Sequence, residues 1–195
     1  MNSLTHFANS RKAFKMIPIV AVVGSSGSGK TTLIEYLVSH LTADGLNVGT
    51  LKHTHHADFS MDVEGKDTWR HAQAGAKVVI CIAPNEIAMI KRGKTCFEKA
   101  EKILTLYRNE NLDIIITEGF RSIMTKHSRV FKILIEKNGE KLRENLEEIT
   151  APVLAIIGPT TLRKFVPEKT AIPFFDRQNA AENVLKLIRS SVLCK

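Results

Sequence analysis

One eight-residue stretch, Gly24-Ser25-Ser26-Gly27-Ser28-Gly29-Lys30-Thr31, constrains the fold of this chain more than any other feature. It matches the pattern G-x-x-x-x-G-K-[ST] in full, between an apolar run at 17–23 and a helical pattern that starts at Thr31. Glycines let the backbone turn so tightly that successive N–H groups point at one anion, and the following helix adds the positive end of its dipole. The stretch therefore predicts a phosphate-binding loop.

Two residues at the end of this loop have separate predicted roles. Lys30 should reach the β and γ phosphates of a nucleoside triphosphate, and the Thr31 hydroxyl should bind Mg²⁺. The alternative is a glycine- and serine-rich turn that binds nothing. The strand and helix expected on either side argue against that alternative, because the motif functions in this context.

Apolar runs alternate with helical spacings along the rest of the chain. Strands are predicted at 17–23, 47–51, 77–83, 87–91, 112–117, 130–135 and 153–157, and helices at 31–45, 67–74, 97–107, 141–149 and 179–192. This alternation predicts an α/β, P-loop NTPase-like three-layer fold with a mainly parallel sheet and an added β-hairpin at 77–91. We expect residues 1–16 to form a flexible basic arm and residues 17–195 to form a single nucleotide-binding domain.

Glu118 follows the apolar strand predicted at 112–117. Open α/β sheets bind ligands at the carboxyl edge, so an acid at this position can touch the metal through water or activate a nucleophile. A solvated surface acid is the competing interpretation. Asp113 opens the same strand and should lie at the far edge, where a surface role is expected.

A polar loop at 52–65 follows the second predicted strand, and so it should also leave the ligand edge. Its cationic and imidazole side chains are Lys52, His53, His55 and His56. We expect them to recognise an anion, with a zinc or nickel site as the alternative that no companion cysteine cluster supports. The acids in or just after the loop are Asp58, Asp62 and Asp67, and one of them could join the magnesium shell. Asp67 is also the predicted cap of the helix at 67–74.

Charge and cysteine content narrow the possible partners and compartment. The chain has 28 Lys and Arg against 20 Asp and Glu, a net charge of +8, but these residues are not gathered into a patch with aromatic side chains. We therefore expect a solvated surface and no nucleic-acid partner. No apolar run approaches the roughly 20 residues that a membrane helix needs. The 3 cysteines are scattered, and the first residues contain no apolar signal segment, which favours a reducing cytoplasm.

The choice of base is weakly encoded. The guanine-reading pattern N/T-K-x-D is absent, and the nearest stretch, Thr125-Lys126-His127-Ser128, lacks the carboxylate that would pair with guanine. The residues alone therefore leave GTP and ATP both open.

Five short elements together resemble the molybdopterin-guanine dinucleotide biosynthesis protein B family over about 17–188. They are the phosphate-binding loop, Lys52-His53-Thr54-His55-His56, Gly65-Lys66-Asp67-Thr68, Ala74-Gly75-Ala76 and Glu118-Gly119-Phe120. The family pattern commonly continues with Lys after the last of these, where this chain has Arg121. An arginine keeps the charge and changes the donor geometry.

This resemblance implies a function in molybdenum cofactor biosynthesis. It implies a weakly hydrolysing, GTP- and Mg²⁺-binding homodimer that assists the guanylyltransferase which attaches GMP to molybdopterin. Nucleotide binding is implied for Gly24 to Thr32, with Lys30 and Glu118 in hydrolysis and Asp58, Asp67, Thr31 and Glu118 near the metal. Molybdopterin or its guanine dinucleotide would be the second ligand.

A small-molecule kinase is the alternative function. It would transfer the γ-phosphate to an acceptor hydroxyl and would need an acceptor-side base and an arginine-rich lid. Neither can be assigned in this sequence. Product analysis separates the two functions, because an adaptor releases free phosphate whereas a kinase transfers it to an added metabolite.

Overall fold

The computed structural model describes residues 17–56, 58–93, 100–107 and 110–194. The arm expected at 1–16 and the first residues of the helix expected at 97–107 lie outside these ranges. Contacts divide the chain into two compact units, one of Met1–Leu51 with Asn109–Lys195 and the other of Lys52–Arg108. The interpretation of 17–195 as one domain stays a prediction.

The strands and helices follow one another in the alternating order that the sequence indicates. The strands are β1 (Ile19–Gly24), β2 (Val48–Lys52), β3 (Val78–Ala83), β4 (Glu86–Lys91), β5 (Ile114–Glu118), β6 (Val130–Ile135), β7 (Val153–Ile157) and β8 (Phe174–Phe175). The helices are α1 (Lys30–Ala43), α2 (Asp67–Gln73), α3 (Ala100–Leu104), α4 (Arg121–Met124), α5 (Gly139–Glu148) and α6 (Ala180–Leu187).

The first unit is built on a six-stranded sheet in the order β2-β5-β1-β6-β7-β8. Strand β1 pairs in parallel with both β5 and β6, and the pairs β6–β7 and β7–β8 are also parallel. The predicted α/β class with a mainly parallel sheet is confirmed. Because the strands run the same way, the carboxyl ends of β1, β5 and β6 meet at one edge of the sheet.

Strand β1 is buried on both faces, as its continuous apolar run predicts. Residues Val20, Ala21 and Val22 have no exposed surface. Helix α1 packs Leu37 and Leu41 into the same core, which also contains residues of α6. Burying such side chains contributes roughly 1.5–3 kcal/mol each, so the position of β1 is strongly determined by packing.

Two element ends differ from the sequence-based expectation. Asp67 was predicted to cap α2, but Lys66 is the N-cap residue, and Asp67 is the first residue of the helix with no capping hydrogen bond. Asp67 instead pairs with Arg70 at 3.7 Å, one turn further along. The helix expected over 179–192 is α-helical only to Leu187 and continues as a wider π-turn over Ile188–Leu193.

Three short elements were missed. They are α4, a 3-10 turn at Thr160–Phe165 and the two-residue strand β8. Elements of this length contain too few residues to produce a recognisable periodicity.

The second unit contains the predicted antiparallel hairpin, β3 with β4, which turns at 84–85. Its register aligns Ile80 with Met89 and Ile82 with Ile87. Since side chains alternate along a strand, these four residues and Val78 lie on one face of the hairpin. All five are exposed, from 48% for Val78 to 76% for Ile82.

Asp62, an acid of the long loop in the second unit, is hydrogen-bonded within that unit. Asp62 accepts hydrogen bonds from Thr68 at 2.8 Å and from Arg92 at 3.0 Å. The Thr68 hydrogen bond and then the Arg92 guanidinium hold the pKa of Asp62 below its usual value. This carboxylate therefore connects the long loop with α2 and with the end of β4.

None of the helices in the described residues combines the length and the apolar character needed to cross a bilayer.

Candidate nucleotide-binding site

The phosphate-binding loop joins β1 to α1, as predicted, and its first glycine is required by packing. A Cβ atom on Gly24 would lie 1.9 Å from the carbonyl oxygen of Ile135 in the neighbouring strand β6. Gly29 adopts a left-handed conformation with a φ of 100° where the loop enters α1. Gly24, with a φ of 147°, therefore requires glycine for both steric and conformational reasons, and Gly29 requires it for its conformation.

Lys30 curls back over the loop. Its Nζ donates to the carbonyl oxygens of Gly24 at 3.0 Å and Ser25 at 2.7 Å. The ammonium group is thus held directly at the first turn of the loop. A cation at this position is suited to stabilise an anion at the loop N–H groups, and the phosphate role of Lys30 stays a prediction.

Thr31 and Glu118 are brought together, although 87 positions separate them in the sequence. The Thr31 hydroxyl donates to Glu118 Oε2 at 3.2 Å. Glu118 is the last residue of β5 and is aligned with Val22 of β1, which explains why its carboxylate reaches the start of α1. The structure therefore places a hydroxyl and a carboxylate, both oxygen ligands that suit Mg²⁺, at one point.

The residues after Glu118 make a tight turn. Gly119 and Phe120 both have left-handed backbones, with φ values of 94° and 50°. Phe120 is the N-cap of α4, and Arg121 then forms an ion pair with Glu148 at 3.1 Å. The arginine that departs from the family pattern thus has a partner on α5.

Glu136 and Lys137 were missed by the sequence analysis. Glu136 is 1% exposed, and its carboxylate accepts hydrogen bonds from the Ser25 N–H at 3.0 Å and the Ser25 hydroxyl at 2.6 Å. Asn145 of α5 donates a third hydrogen bond to it at 2.6 Å. Both missed residues directly follow β6, a neighbour of β1. The carboxyl-edge rule that selected Glu118 would have found them if applied to this strand.

A cavity of about 320 Å³ adjoins the loop within the first unit. Its walls come from the loop, α1, the ends of β6 and β7, and the start of α6. The lining residues are Gly27, Ser28, Gly29, Thr32, Leu33, Tyr36, Ile135, Ile157, Arg177, Ala180 and Ala181. The Ser28 hydroxyl is buried and has no hydrogen-bond partner among the described residues. A cavity of this size and mostly apolar lining, with a few polar groups, is typical of small-molecule sites.

The residues predicted to recognise an anion in the long loop all belong to the second unit, which begins at Lys52, the last residue of β2. The rings of His53 and His55 meet edge to face, with centroids 4.4 Å apart. Partial burial and then the charge of His55 lower the pKa of His53, which favours a neutral His53 ring at pH 7. The roles of Lys52, His53, His55 and His56 in ligand binding stay predictions.

The loop acids proposed for the metal shell are also in the second unit. The Asp67 side chain is 88% exposed and Asp58 is exposed. Within residues 17–56, 58–93, 100–107 and 110–194, no group of three or more His, Cys, Asp or Glu side chains forms a metal-binding cluster. A magnesium role for either acid stays a prediction.

Together, the central parallel strand, the loop that leads from it into α1, and the acid of the neighbouring strand beside the loop's threonine define a P-loop NTPase-like protein.

Comparison with known proteins then identifies the family. The family model described as "Molybdopterin guanine dinucleotide synthesis protein B" matches residues 19–158. The chain belongs to this family. The match begins with β1 and ends just after β7, so it includes the loop, Glu118 and Glu136.

Individual relatives agree with this assignment. The chain is 34% identical to the molybdopterin-guanine dinucleotide biosynthesis adapter protein of Haemophilus influenzae, over 72% of this chain and 74% of that protein. It is 33% identical to the protein of the same description from Escherichia coli, over 75% of this chain and 81% of that protein. The crystal structure of Bacillus subtilis MobB is similar with a TM-score of 0.67 and 30% identity, covering 88% of this chain and 98% of that one.

Proposed function

We propose that this protein is a GTP-binding adaptor that assists the formation of molybdopterin guanine dinucleotide. The observation that carries the proposal is the formed loop, with Lys30, Thr31 and Glu118 in place, in a chain whose relatives are described as adapter proteins of this biosynthesis. Its partners would be the guanylyltransferase and molybdopterin or its guanine dinucleotide. A cytoplasmic location is part of the proposal and suits the free, exposed thiols of Cys81 and Cys194.

The nucleotide would contact two neighbouring sites in the first unit, the phosphate-binding loop and the cavity beside it. The loop N–H groups and Lys30 would hold the phosphates, and the adjoining 320 Å³ cavity would receive the nucleoside. Tyr36 and Arg177 line this cavity and supply an aromatic ring and N–H donors for a purine. The choice of GTP rests on the family, since neither residue selects one purine by itself.

Magnesium would bind where Thr31 and Glu118 meet. Mg²⁺ prefers oxygen ligands and retains several waters, and a hydroxyl 3.2 Å from a carboxylate oxygen fits that donor set. The bound metal would neutralise phosphate charge. Glu118 would then hold the metal or its water shell, a role that suits slow hydrolysis.

Replacing Thr31 by Ala should weaken GTP binding about threefold to tenfold when magnesium is present, because a metal ligand is lost. Binding in EDTA should change little, since the loop N–H groups remain. Calorimetric titrations with and without magnesium measure both values. Thr42→Ala is the matched control, because Thr42 is an exposed threonine of the same helix that bonds only to backbone carbonyls of α1. Equal losses with and without magnesium would indicate a damaged fold.

The adaptor function is tested in a reconstituted reaction. GTP, molybdopterin and the guanylyltransferase are incubated with and without this protein, and guanine dinucleotide, free phosphate and phosphorylated products are separated. We expect faster dinucleotide formation and slow release of free phosphate. Phosphate transferred to an added metabolite would instead establish the kinase alternative. No change in dinucleotide formation with the wild-type protein would refute the adaptor function.

The proposed homodimer would use the exposed face of the hairpin. Val78, Ile80, Ile82, Ile87 and Met89 form a contiguous apolar strip in the register of β3 and β4, and such strips mark interaction surfaces. A second copy is the proposed occupant because the family resemblance implies a homodimer and an apolar strip of this kind is typical of permanent interfaces.

Ile82→Asp should therefore raise the dissociation constant of the dimer at least about tenfold, because a carboxylate would be buried among apolar side chains. Ala83→Asp is the matched control, since it adds the same charge at the neighbouring, exposed position on the opposite face. Sedimentation velocity over a range of concentrations measures both. A monomeric wild-type protein, or equal effects of the two variants, would contradict a dimer built on this face.

The long loop is proposed to bind an anionic group of the nucleotide or the pterin. The lowered pKa of His53 favours the neutral ring, which would offer one N–H donor to the anion, while Lys52 would supply positive charge. Changing His53, His55 and His56 together to Ala should reduce the stimulation of dinucleotide formation and leave the melting temperature of metal-free protein unchanged. Stoichiometric zinc in protein purified without a histidine tag, with unfolding on chelation, would establish a structural metal site instead.

A further inference from the structure

The segment Glu136 to Asn138 connects the end of β6 to α5, and hydrogen bonds hold it at both ends. The Glu136 N–H donates to the carbonyl oxygen of Ile157 in β7 at 2.9 Å. The Asn138 side chain caps α5 by accepting from the N–H groups of Glu140 and Lys141 at 2.8 and 3.3 Å. A three-residue segment with its first and last members fixed in this way has little conformational freedom left to lose.

The Glu136 carboxylate then ties this segment to the phosphate-binding loop. One oxygen accepts from the Ser25 N–H and from Asn145 Nδ2, and the other accepts from the Ser25 hydroxyl. Hydrogen bonds to a buried carboxylate are stronger than neutral ones, and leaving such a group unpaired would be costly. The start of the loop and the end of β6 therefore move together.

Lys137 lies between these two fixed residues, and its ammonium group reaches the loop. A Cβ atom built on Gly27 would lie 3.7 Å from Lys137 Nζ. Gly27 lies in the middle of the loop, three residues after Gly24, so the Lys137 ammonium group is close to the middle of the loop. The Lys30 ammonium group instead bonds to the carbonyls of Gly24 and Ser25, at the start of the loop. In the part of the chain that the structure describes, Lys137 is exposed and forms no ion pair or hydrogen bond.

We propose that Lys137 is a second cationic ligand of the nucleotide phosphates, and that Glu136 is the positioning residue that fixes it against the loop. This proposal rests on the proposed nucleotide binding of the loop. It adds Lys137, which follows β6, to a site otherwise formed by the loop after β1 and by Glu118 of β5. A lysine whose backbone is already ordered binds phosphate at a lower entropic cost than a lysine on a mobile loop.

The test compares two ligands, GTP and inorganic triphosphate, in calorimetric titrations of the full-length protein. We expect Lys137→Met to weaken both ligands by about fivefold to tenfold, because the lost contact is to phosphate and not to the nucleoside. The slope of affinity against salt concentration should also become shallower. Lys169→Met is the matched control, since Lys169 is an exposed lysine of the same unit outside the site.

The outcomes separate this inference from the proposed function. If Lys30→Ala weakens both ligands while Lys137→Met matches the wild type, Lys137 is only a surface lysine and the inference is overturned. If the wild-type protein binds neither ligand, the proposed nucleotide binding itself has failed. A loss with GTP alone would place Lys137 at the nucleoside and also overturn the phosphate assignment.

The positioning role of Glu136 is tested by a conservative exchange. In Glu136→Gln the amide oxygen can still accept from the Ser25 N–H and from Asn145, while the amide nitrogen can donate to the Ser25 hydroxyl. We expect Glu136→Gln to bind triphosphate within about twofold of the wild type and Glu136→Ala to lose at least about tenfold. Asn145→Ala, which removes one donor, serves if Glu136→Ala does not fold and should give an intermediate loss. A Gln variant as impaired as the Ala variant, or an Asn145 variant equal to the wild type, would contradict positioning through this network.

Discussion

Lys30→Ala should lower the affinity for GTP by about ten- to a hundredfold, the largest loss expected from a single side chain of the site. The ammonium group lies at the first turn of the loop, within 3.0 Å of the Gly24 carbonyl and 2.7 Å of the Ser25 carbonyl. Hydrogen bonds from a charged donor to phosphate are worth about 1.5–3 kcal/mol, and every 1.4 kcal/mol corresponds to roughly tenfold in affinity.

Calorimetry with GTP and with inorganic triphosphate measures the effect, and circular dichroism shows whether the variant has folded. Lys169→Met again controls for the loss of one positive charge at a distance. Unchanged GTP affinity in a folded Lys30→Ala protein would refute the assignment of the loop as the nucleotide site. A loss restricted to GTP would mean that Lys30 contacts something other than phosphate.

The second large effect is a pH dependence of stability centred on Lys132 in β6. This lysine has no exposed surface, and its Nζ donates to the carbonyl oxygen of His127 at 2.6 Å. Longer contacts of 3.4 Å reach the Thr150 hydroxyl and the Ala151 carbonyl. Burial lowers the pKa of Lys132 from 10.5 to about 8. The unfolded chain therefore binds this proton more tightly than the folded protein does.

The direction of the effect follows from that difference. Below pH 8 both states carry the charge, and the cost of burying it is fully present. As the pH rises from about 8 to about 10.5, the folded protein loses the proton first, and the free energy of unfolding rises. At about 1.36 kcal/mol per pKa unit the full gain is on the order of 3 kcal/mol.

Urea denaturation of the wild type and of Lys132→Met at several pH values isolates this effect, because other groups titrate alike in both proteins. We expect the wild type to gain stability relative to the variant across this range. Parallel stability curves would show that Lys132 titrates normally. If the variant does not fold, NMR titration of ¹⁵N-lysine-labelled wild type reports the pKa directly, and a value near 10.5 would refute the prediction.

The sequence predicted the sheet and the loop well because their signals are local. Strand β1 is a run of apolar residues that must be buried on both faces, and the loop is a contiguous motif with few other uses. Strands β6 and β7 were predicted with the bounds that the structure shows. The position of Glu118 at the ligand edge was predicted because the carboxyl ends of parallel strands meet at one edge of the sheet, and its role at a metal stays a prediction.

What the sequence did not reveal depends on contacts between distant segments. Glu136 is buried, but nothing in the sequence distinguishes a buried glutamate after a strand from a solvated one. The hydrogen bonds from Ser25 and Asn145, which compensate its burial, become visible only in the structure. The cavity is formed by the loop and by parts of two helices and two strands that no single sequence pattern connects. Asp67 illustrates an error in the other direction, where a local signal was misleading. Aspartate is a preferred N-cap residue, but the helix has Lys66 as its N-cap and Asp67 as its first residue, one position later than predicted.

Strand β6 contains one buried charge, Lys132, and is followed directly by another, Glu136, and together they influence the register of the sheet. Lys132 donates hydrogen bonds to carbonyl groups on the amino-terminal side of the sheet, and Glu136 accepts hydrogen bonds on the carboxyl-terminal side. A slip of β6 by one residue would turn each side chain to the opposite face and leave both charges among apolar neighbours without partners. A strand of only valines, isoleucines and leucines would tolerate such a slip far better. The two charges thus make misaligned sheets unfavourable, and they favour the register in which Glu136 meets Ser25 at the start of the loop between Gly24 and Thr31.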